Sequence, residues 1–246
     1  MASPTDRMAA GSGFGALAKA DELKKRLWFT VGALIIYRLG TYLPLPGINP
    51  GALADIFSQQ SSGILGMFDM FSGGALGRMT IFALNIMPYI TASIIMQLMT
   101  AIVPSLEALK KDGEGGRKTI NQYTRYLTVL LASVQGYGIA VALEAASGVV
   151  GDPGMFFRLT TVVTLVGGTL FLMWLGEQIT SRGVGNGISL IIFSGIVAEL
   201  PTALAGTLEL GRTGALSSVL ILLLFVMAAA VIAFIVFIER SVRKIV

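Results

Sequence analysis

The stretch MTIFALNIMPYITASIIMQLMTAIV, residues 79–103, decides the fold class of this protein. It contains no charged side chain. About 20 apolar residues, at ~1.5 Å each, are enough for a helix to cross ~30 Å of hydrocarbon. Polar and apolar residues do not alternate along the stretch, as they would in a membrane β-strand. The stretch therefore predicts a transmembrane helix.

Five further windows have the same apolar character. They are residues 27–43, 126–143, 156–175, 188–204 and 216–238. The composition agrees, because 54% of the residues are hydrophobic and only 13% are charged, against roughly 25% charged residues in a soluble domain. We expect an all-α membrane protein, a polytopic bundle of six transmembrane helices.

Two residue types are missing from the sequence, and this excludes several kinds of active site. Without cysteine there is no disulfide, thiolate metal site or cysteine nucleophile. Without histidine there is no Ser-His hydrolase, zinc-protease helix or histidine-bound haem. The glycine-rich segment at 113–119 lacks the spacing of a phosphate-binding loop. We predict that the protein is not an enzyme and has no metal or cofactor.

The distribution of Lys and Arg between alternate loops predicts the orientation. Most of the 18 basic residues fall on one side of the predicted membrane. The other side has Arg38, Arg78, Arg158 and Arg212. Since basic loops stay in the cytoplasm, both termini are predicted to be cytoplasmic. Residues 1–26 contain no apolar run typical of a cleaved signal peptide. The basic, amphipathic stretch at 21–27 is suited to lying on a surface of anionic lipid.

The segment between the first two windows fits neither of them. Residues 41–50 contain three prolines and predict an extended turn. Residues 63–71 are apolar, but as a helix they reach only ~13 Å. Such a half-helix lies at membrane depth only against protein or a water-filled cavity. The alternative is a short helix in the outer interface, and the residues alone support both interpretations.

Polar residues interrupt the window at 79–103. Asn85, Thr91, Ser93 and Gln97 lie in it, and Pro88 removes one helical hydrogen bond, which predicts a kink. Such a helix either lines a pore that can move or is held to its neighbours by polar contacts. Both interpretations stay open at this point.

Two isoleucine pairs are spaced to share a helix face. Ile86 and Ile90 are four residues apart, as are Ile188 and Ile192. Stiff, branched side chains can form a hydrophobic constriction, although contact with lipid is the commoner reason in so apolar a sequence. The basic loop at 107–125 is similarly either a solvated loop or a docking surface for a cytosolic partner.

Ionisable residues within the windows are scarce. Arg38 and Glu144 lie near window ends, where their side chains can reach the aqueous interface. Apart from Glu199 in the window at 188–204, no carboxylate lies within a window, although proton- and sodium-coupled carriers use such groups. This speaks against the alternative function, a small-molecule secondary transporter. A membrane-embedded enzyme is a weaker alternative still.

Several longer motifs resemble the SecY family, the protein-translocation channels of bacteria. They are LGTYLPLPGI at 39–48, MFDMFSGGAL at 67–76, IFALNIMPYITASII at 81–95, QYTRY at 122–126, WLGEQIT at 174–180 and RGVGNGIS at 182–189. These motifs run through nearly the whole chain in the order that the family has. Asn85 departs from the pattern, because the family motif is expected to have glycine there.

The resemblance implies the first half of an inverted-repeat channel. Residues 27–210 would form the first five-helix repeat, preceded by the cytoplasmic segment 1–26. Residues 216–246 would form the first helix of a second repeat, truncated here. Residues 1–246 would then be a single transmembrane domain, the N-terminal portion of a longer channel.

The same resemblance assigns roles to particular side chains. The pore ring would comprise Ile86, Ile90, Ile188 and Ile192. A re-entrant half-helix at 64–76 would be a plug, with Ile64, Leu65, Met67, Phe68, Met70, Phe71, Gly73, Gly74 and Leu76. The lateral gate would include Thr91, Ser93 and Gln97. Cytoplasmic partners would dock on Lys110, Lys111, Arg117, Lys118, Arg125, Arg240, Arg243 and Lys244.

The implied function is passage of unfolded secretory proteins across the bacterial cytoplasmic membrane, and lateral insertion of membrane proteins into it, after recognition of a signal sequence. The implied partners are SecE and SecG in the membrane, SecA or a translating ribosome on the cytoplasmic side, precursor proteins with signal sequences, and anionic lipids. No nucleic acid would be bound directly. Energy would come from SecA or from translation, in keeping with the missing phosphate-binding motif.

Overall fold

The computed structural model describes residues 21–60, 69–70, 72–146, 148–214 and 216–241, without the side chains of 56–60 and 218. The helices in these ranges are α1 (Asp21–Gly40), α2 (Pro50–Gln60), α3 (Met87–Ile102), α4 (Pro104–Lys111), α5 (Glu114–Ala145), α6 (Met155–Arg182), α7 (Gly187–Arg212) and α8 (Ser218–Arg240). Extended pairing within the same ranges is confined to two isolated bridges, Pro44 with Thr80 and Ile48 with Val150. The predicted all-α class is confirmed.

The number of spans is smaller than six when length and apolarity are applied strictly to the described helices. Four helices qualify, namely α5, α6, α7 and α8, and the pair formed by α3 and α4 makes a fifth although it is bent by 99°. Helix α1 covers residues 27–40 of the predicted window at 27–43, but its first turns carry several charged side chains. A sixth span therefore stays a prediction.

The predicted helix over 79–103 begins later than expected. Residues 79–86 form turns, and α3 starts only at Met87. Met79 and Asn85 have positive φ angles of 44° and 48°, which a right-handed helix cannot include. Pro88 lies in the first turn of α3, where its missing N–H needs no partner, so the predicted kink at this proline is wrong. The bend lies instead after Ile102, where the chain turns into α4.

Helices α5 and α6 pack along each other through small side chains. The buried face of α5 has a small residue at every fourth position, with Thr124, Thr128, Ala132, Gly136 and Ala140. A Cβ atom at Gly136 would lie 3.6 Å from the Leu165 side chain of α6. Small residues at such an interface let two membrane helices approach closely, and this explains how the pair is held.

The non-helical segment 80–86 crosses the protein between α1 and α6. A Cβ at Gly40 of α1 would overlap the Phe82 ring, and one at Gly168 of α6 would overlap the carbonyl oxygen of Ile81. The two glycines therefore open the space that the segment occupies. Around it lies a buried cluster that includes Tyr37, Phe82, Ile86, Leu172, Ile179 and Ile191.

The chain divides into two compact units, Met1–Ala198 and Glu199–Val246. In the second unit, the Ser217 side chain accepts a hydrogen bond from the Leu220 N–H and caps α8. A Cβ at Gly211 would overlap Cδ1 of Ile221, so the end of α7 lies close against the start of α8.

Candidate functional site

Three of the four predicted ring isoleucines line one small cavity. Ile86, Ile90 and Ile192, together with Asn85 and Met87, enclose about 240 Å³. Ile86 is 1% exposed and precedes α3, Ile90 lies one turn into that helix, and Ile192 comes from α7. Ile188 is half-buried and packs against the same cluster as Ile86. The structure thus places side chains from two distant segments around one apolar space.

The turn between α6 and α7 determines where Ile188 and Ile192 lie. The Asn186 side chain accepts hydrogen bonds from the N–H groups of Ile188 and Ser189, at 3.1 and 3.3 Å. It thereby caps the N-terminus of α7. The Gly187 N–H donates to Oγ1 of Thr180 at 2.9 Å. A Cβ at Gly187 would overlap the Gly176 carbonyl oxygen. Close backbone approach at this turn therefore brings the first residues of α7 against α6.

Asn85 occupies a backbone conformation that suits the glycine expected at this position. Its φ angle is +48°, its side chain is 4% exposed, and its N–H donates to the Phe82 carbonyl at 2.8 Å. Glycine adopts the left-handed region freely, and asparagine is one of the few other residues that tolerate it. The departure from the motif therefore keeps the backbone conformation and adds a polar amide beside the cavity.

The described part of the predicted plug leads into a buried turn at 72–75. Asp69, Met70 and Ser72 are helical, and Gly73 and Gly74 follow with φ angles of 66° and 78°. Ser72 Oγ donates to the Asp69 carbonyl at 2.8 Å and accepts from the Leu76 N–H at 3.1 Å. The Gly77 N–H donates to Oδ1 of Asp69 at 2.7 Å. Five predicted plug residues lie outside the described residues: Ile64, Leu65, Met67, Phe68 and Phe71.

Helix α1 contacts this turn through two consecutive residues. The Tyr37 hydroxyl donates to the Ser72 carbonyl at 3.3 Å, and Nη1 of Arg38 donates to the Gly73 carbonyl at 2.9 Å. Sequence reasoning assigned Arg38 to the aqueous interface and gave Tyr37 no role. In the sequence, this contact is indicated by a tyrosine followed by an arginine at the end of an apolar window.

Glu144 likewise has a partner inside the protein. Its carboxylate is 9% exposed and accepts from the Gly154 N–H at 2.9 Å and from Nε of Arg158 at 2.7 Å. Glu144 therefore has a partner within the protein, and its reach to the aqueous interface stays a prediction. The pair joins the end of α5 to the start of α6.

The predicted gate residues of α3 are not gathered at one point. Thr91 donates to the Met87 carbonyl at 3.0 Å and lines a second, larger cavity of about 620 Å³. Nε2 of Gln97 donates to Oγ of Ser93 at 3.1 Å, one turn apart on the same helix. The larger cavity also has Asn85 and, from α5, Gln135 in its lining. Polar groups from two helices thus meet an otherwise apolar space.

The predicted docking residues of α4 and α5 are exposed. These are Lys110, Lys111, Arg117, Lys118 and Arg125. Lys111 pairs with Glu107 at 2.7 Å, and Arg125 pairs with Glu177. Arg240 ends α8 in the second unit and is exposed there, while Arg243 and Lys244 lie outside the described residues. No group of three acidic side chains in the described ranges could hold a metal ion.

Comparison with known proteins identifies the family. The SecY family model matches residues 80–246. The chain belongs to the SecY family. The resemblance found in the motifs is thereby confirmed, and with it the protein is a multi-pass membrane protein.

Named SecY relatives match along almost the whole chain. The protein translocase subunit SecY of Escherichia coli K12 is 56% identical over 228 residues, which cover 92% of this chain and 52% of that protein. The SecY of Buchnera aphidicola is 57% identical over 92% of this chain and 64% of that protein. The SecY of Rickettsia conorii is 54% identical over 92% of this chain and 53% of that protein. The chain spans little more than half the length of most of these relatives.

Solved SecY-like structures share the fold. A protein-conducting channel superposes with a TM-score of 0.53 at 20% identity, covering 77% of this chain and 38% of that chain. Sec61 in the canine ribosome-channel complex from the endoplasmic reticulum gives the same TM-score, identity and coverage. None of these relatives or structures is a small-molecule transporter.

Proposed function

We propose that the chain forms the first part of a protein-conducting channel. The complete channel passes unfolded secretory proteins across the bacterial cytoplasmic membrane and releases membrane proteins sideways into lipid, after recognition of a signal sequence. One observation carries the proposal: Ile86, Ile90 and Ile192 line a single apolar cavity although they come from the turn before α3, from α3 and from α7. The translocase and channel names of its relatives support the same role.

Ile86, Ile90, Ile188 and Ile192 act as part of a hydrophobic pore ring. Branched aliphatic side chains have few rotamers and do not bind water, so a constriction that they form excludes ions by staying dry. A translocating chain parts the ring, and the ring closes again behind it. The chain is a passive conduit rather than an enzyme.

Residues 64–76 act as the plug, and α3 forms one wall of the lateral gate. The buried position of Gly73 and Gly74 supports a plug that is seated at rest. The gate helix carries three polar side chains, those of Thr91, Ser93 and Gln97. Each has a hydrogen-bond partner within the helix, and this suits a gate that opens. Such a helix can separate from a neighbour without leaving an unpaired polar group in lipid.

Both termini face the cytoplasm, as the distribution of basic residues requires. SecA or a translating ribosome docks on the exposed cations of α4 and α5 and on 240–244, and supplies the energy. A solved channel of this fold in complex with a ribosome supports such a partner. SecE and SecG complete the membrane part, and the basic end of 1–26 rests on anionic lipid.

Site-specific photocrosslinking tests the proposal in the complete channel that carries this sequence. A photoreactive residue is placed in turn at Ile86, Ile90, Ile188 and Ile192, and a secretory precursor is stalled during translocation. Val163 on α6, which is 69% exposed, serves as the control. We expect adducts with the precursor at the four isoleucines and none at Val163. Protease-protected precursor without an adduct at any of the four would contradict the pore assignment.

A further inference from the structure

Consecutive residues of α1 hold consecutive carbonyl groups of the plug turn. Tyr37 donates to the Ser72 carbonyl, and Arg38 donates to the Gly73 carbonyl, at 3.3 and 2.9 Å. Both pairs join residues 35 positions apart in the sequence. Because Tyr37 is fully buried and Ser72 nearly so, each group would lose its partner if the turn moved away.

A second guanidinium reinforces the contact at Gly73. Nη2 of Arg78 donates to the same carbonyl oxygen at 2.8 Å. The guanidinium groups of Arg38 and Arg78 both lie over the Tyr42 ring, 5.2 and 4.6 Å from its centroid. No carboxylate forms an ion pair with either arginine in the part of the chain that the structure describes. Two cations therefore converge on one carbonyl oxygen and one aromatic face.

The other side of the turn lies directly against the backbone of α7. A Cβ at Gly73 would lie 3.0 Å from Cα of Gly195 and 2.9 Å from Nη1 of Arg38. Gly73 also has a φ angle of +66°, which favours glycine for a second reason. The turn is thus held between the donors of α1 and the backbone of α7, and there is no room for a side chain between them.

We propose that Tyr37 and Arg38 are positioning residues that clasp residues 72–74 and keep the plug closed while the channel rests. Arg78, within the segment that follows the plug, adds a third donor to the clasp. Opening the plug breaks these hydrogen bonds, and the two arginines then have water and the Tyr42 ring as partners. The inference rests on the proposed role of 64–76 as a plug and names the residues of α1 that hold it.

The test measures the ion conductance of the complete resting channel in planar bilayers. Tyr37→Phe removes one hydroxyl and keeps the packing, and Arg38→Met removes the donors at nearly constant length. A charged hydrogen bond contributes more than a neutral one, so we expect resting conductance to rise roughly tenfold for Arg38→Met and about threefold for Tyr37→Phe. Arg38→Lys, which keeps a charged donor, should recover part of the seal.

Two matched controls accompany these variants. Arg212→Met removes a cation predicted to lie on the same side of the membrane, but Arg212 is exposed and pairs only with Glu209 in the described ranges. Tyr126→Phe removes a hydroxyl from an exposed tyrosine of α5. Neither should change the resting conductance. Channel abundance in the membrane is measured for every variant, so that conductance is compared per channel.

Deleting residues 64–71 separates the clasp from the plug. If the deletion raises conductance and Arg38→Met adds nothing further in the deleted channel, the clasp acts through the plug as proposed. If the deletion raises conductance but neither Arg38→Met nor Tyr37→Phe does, the clasp is overturned and the plug role stands. If the deletion itself leaves conductance unchanged, the plug role fails and the clasp fails with it. Additive effects of the deletion and Arg38→Met would also overturn the clasp, since they indicate general damage to the fold.

Discussion

The Arg125 guanidinium of α5 donates to both carboxylate oxygens of Glu177 of α6, each at 2.7 Å. Both side chains are more than a third exposed, and the pair joins two helices at a predicted docking surface. Both hydrogen bonds come from Nη2, and an exposed pair of this kind contributes ~0.5–1 kcal/mol to stability. Arg125 is therefore available for a second role without being required for folding.

We predict that the exchange variant Arg125→Glu with Glu177→Arg separates these two roles. Each single substitution should lower thermal stability slightly, because it places like charges together, and the double variant should recover it. Binding of SecA or ribosomes to channel-containing membranes should stay reduced in the double variant, since the cation has moved from α5 to α6. Full recovery of binding would show that Arg125 does not contact the partner.

We predict opposite effects for the same substitution at two neighbouring glycines of α6. A Cβ at Gly168 would overlap the Ile81 carbonyl oxygen, whereas a Cβ at Gly167 would have nothing within 4 Å. Gly168→Ala should therefore destabilise the channel by several kcal/mol, as overpacking of a core does, or prevent its accumulation. Gly167→Ala should be neutral or stabilising by up to ~1 kcal/mol. Thermal unfolding in detergent measures both, and equal effects would mean that the segment 80–86 does not lie against α6.

We predict that glycine replaces Asn85 more easily than alanine does. Asn85 has a φ angle of +48°, and a side chain with a Cβ and no local hydrogen bond costs ~1–2 kcal/mol in that region. Asn85→Ala should lower the free energy of unfolding by about that amount, and Asn85→Gly by clearly less. Thermal unfolding of the two variants side by side provides the comparison. An Asn85→Ala variant at least as stable as Asn85→Gly would show that residue 85 does not require the left-handed conformation.

We predict that Glu144→Gln destabilises the channel more than Glu209→Gln does. Glu144 is nearly buried and accepts from Arg158 and from the Gly154 N–H, whereas Glu209 and its partner Arg212 are exposed. Loss of the Glu144 charge should lower the transition temperature clearly, because the Arg158 and Gly154 donors lose their charged acceptor, whereas loss of the exposed pair should lower it little. Calorimetry of both variants in the same detergent measures the difference. Equal losses would indicate that the Glu144 carboxylate is solvated.

The sequence by itself determined the fold class and the family. Length and apolarity are sums over neighbouring residues, so each window can be recognised without knowing what it packs against. The turn between α6 and α7 is equally local, because its glycines and Asn186 cap the helix that follows them. The family motifs are contiguous and could be read in the same way.

Only the tertiary structure decided where α3 begins and what its first residues meet. No charged residue interrupts the window from 79 to 103, but the left-handed conformation at Asn85 and the contacts of 80–86 with Gly40 and Gly168 hold the first residues out of a helix. The meeting of Ile86 with Ile192, and of Arg38 with Gly73, joins segments far apart in the sequence. Such contacts depend on how whole helices pack, and no local property of either segment contains that information.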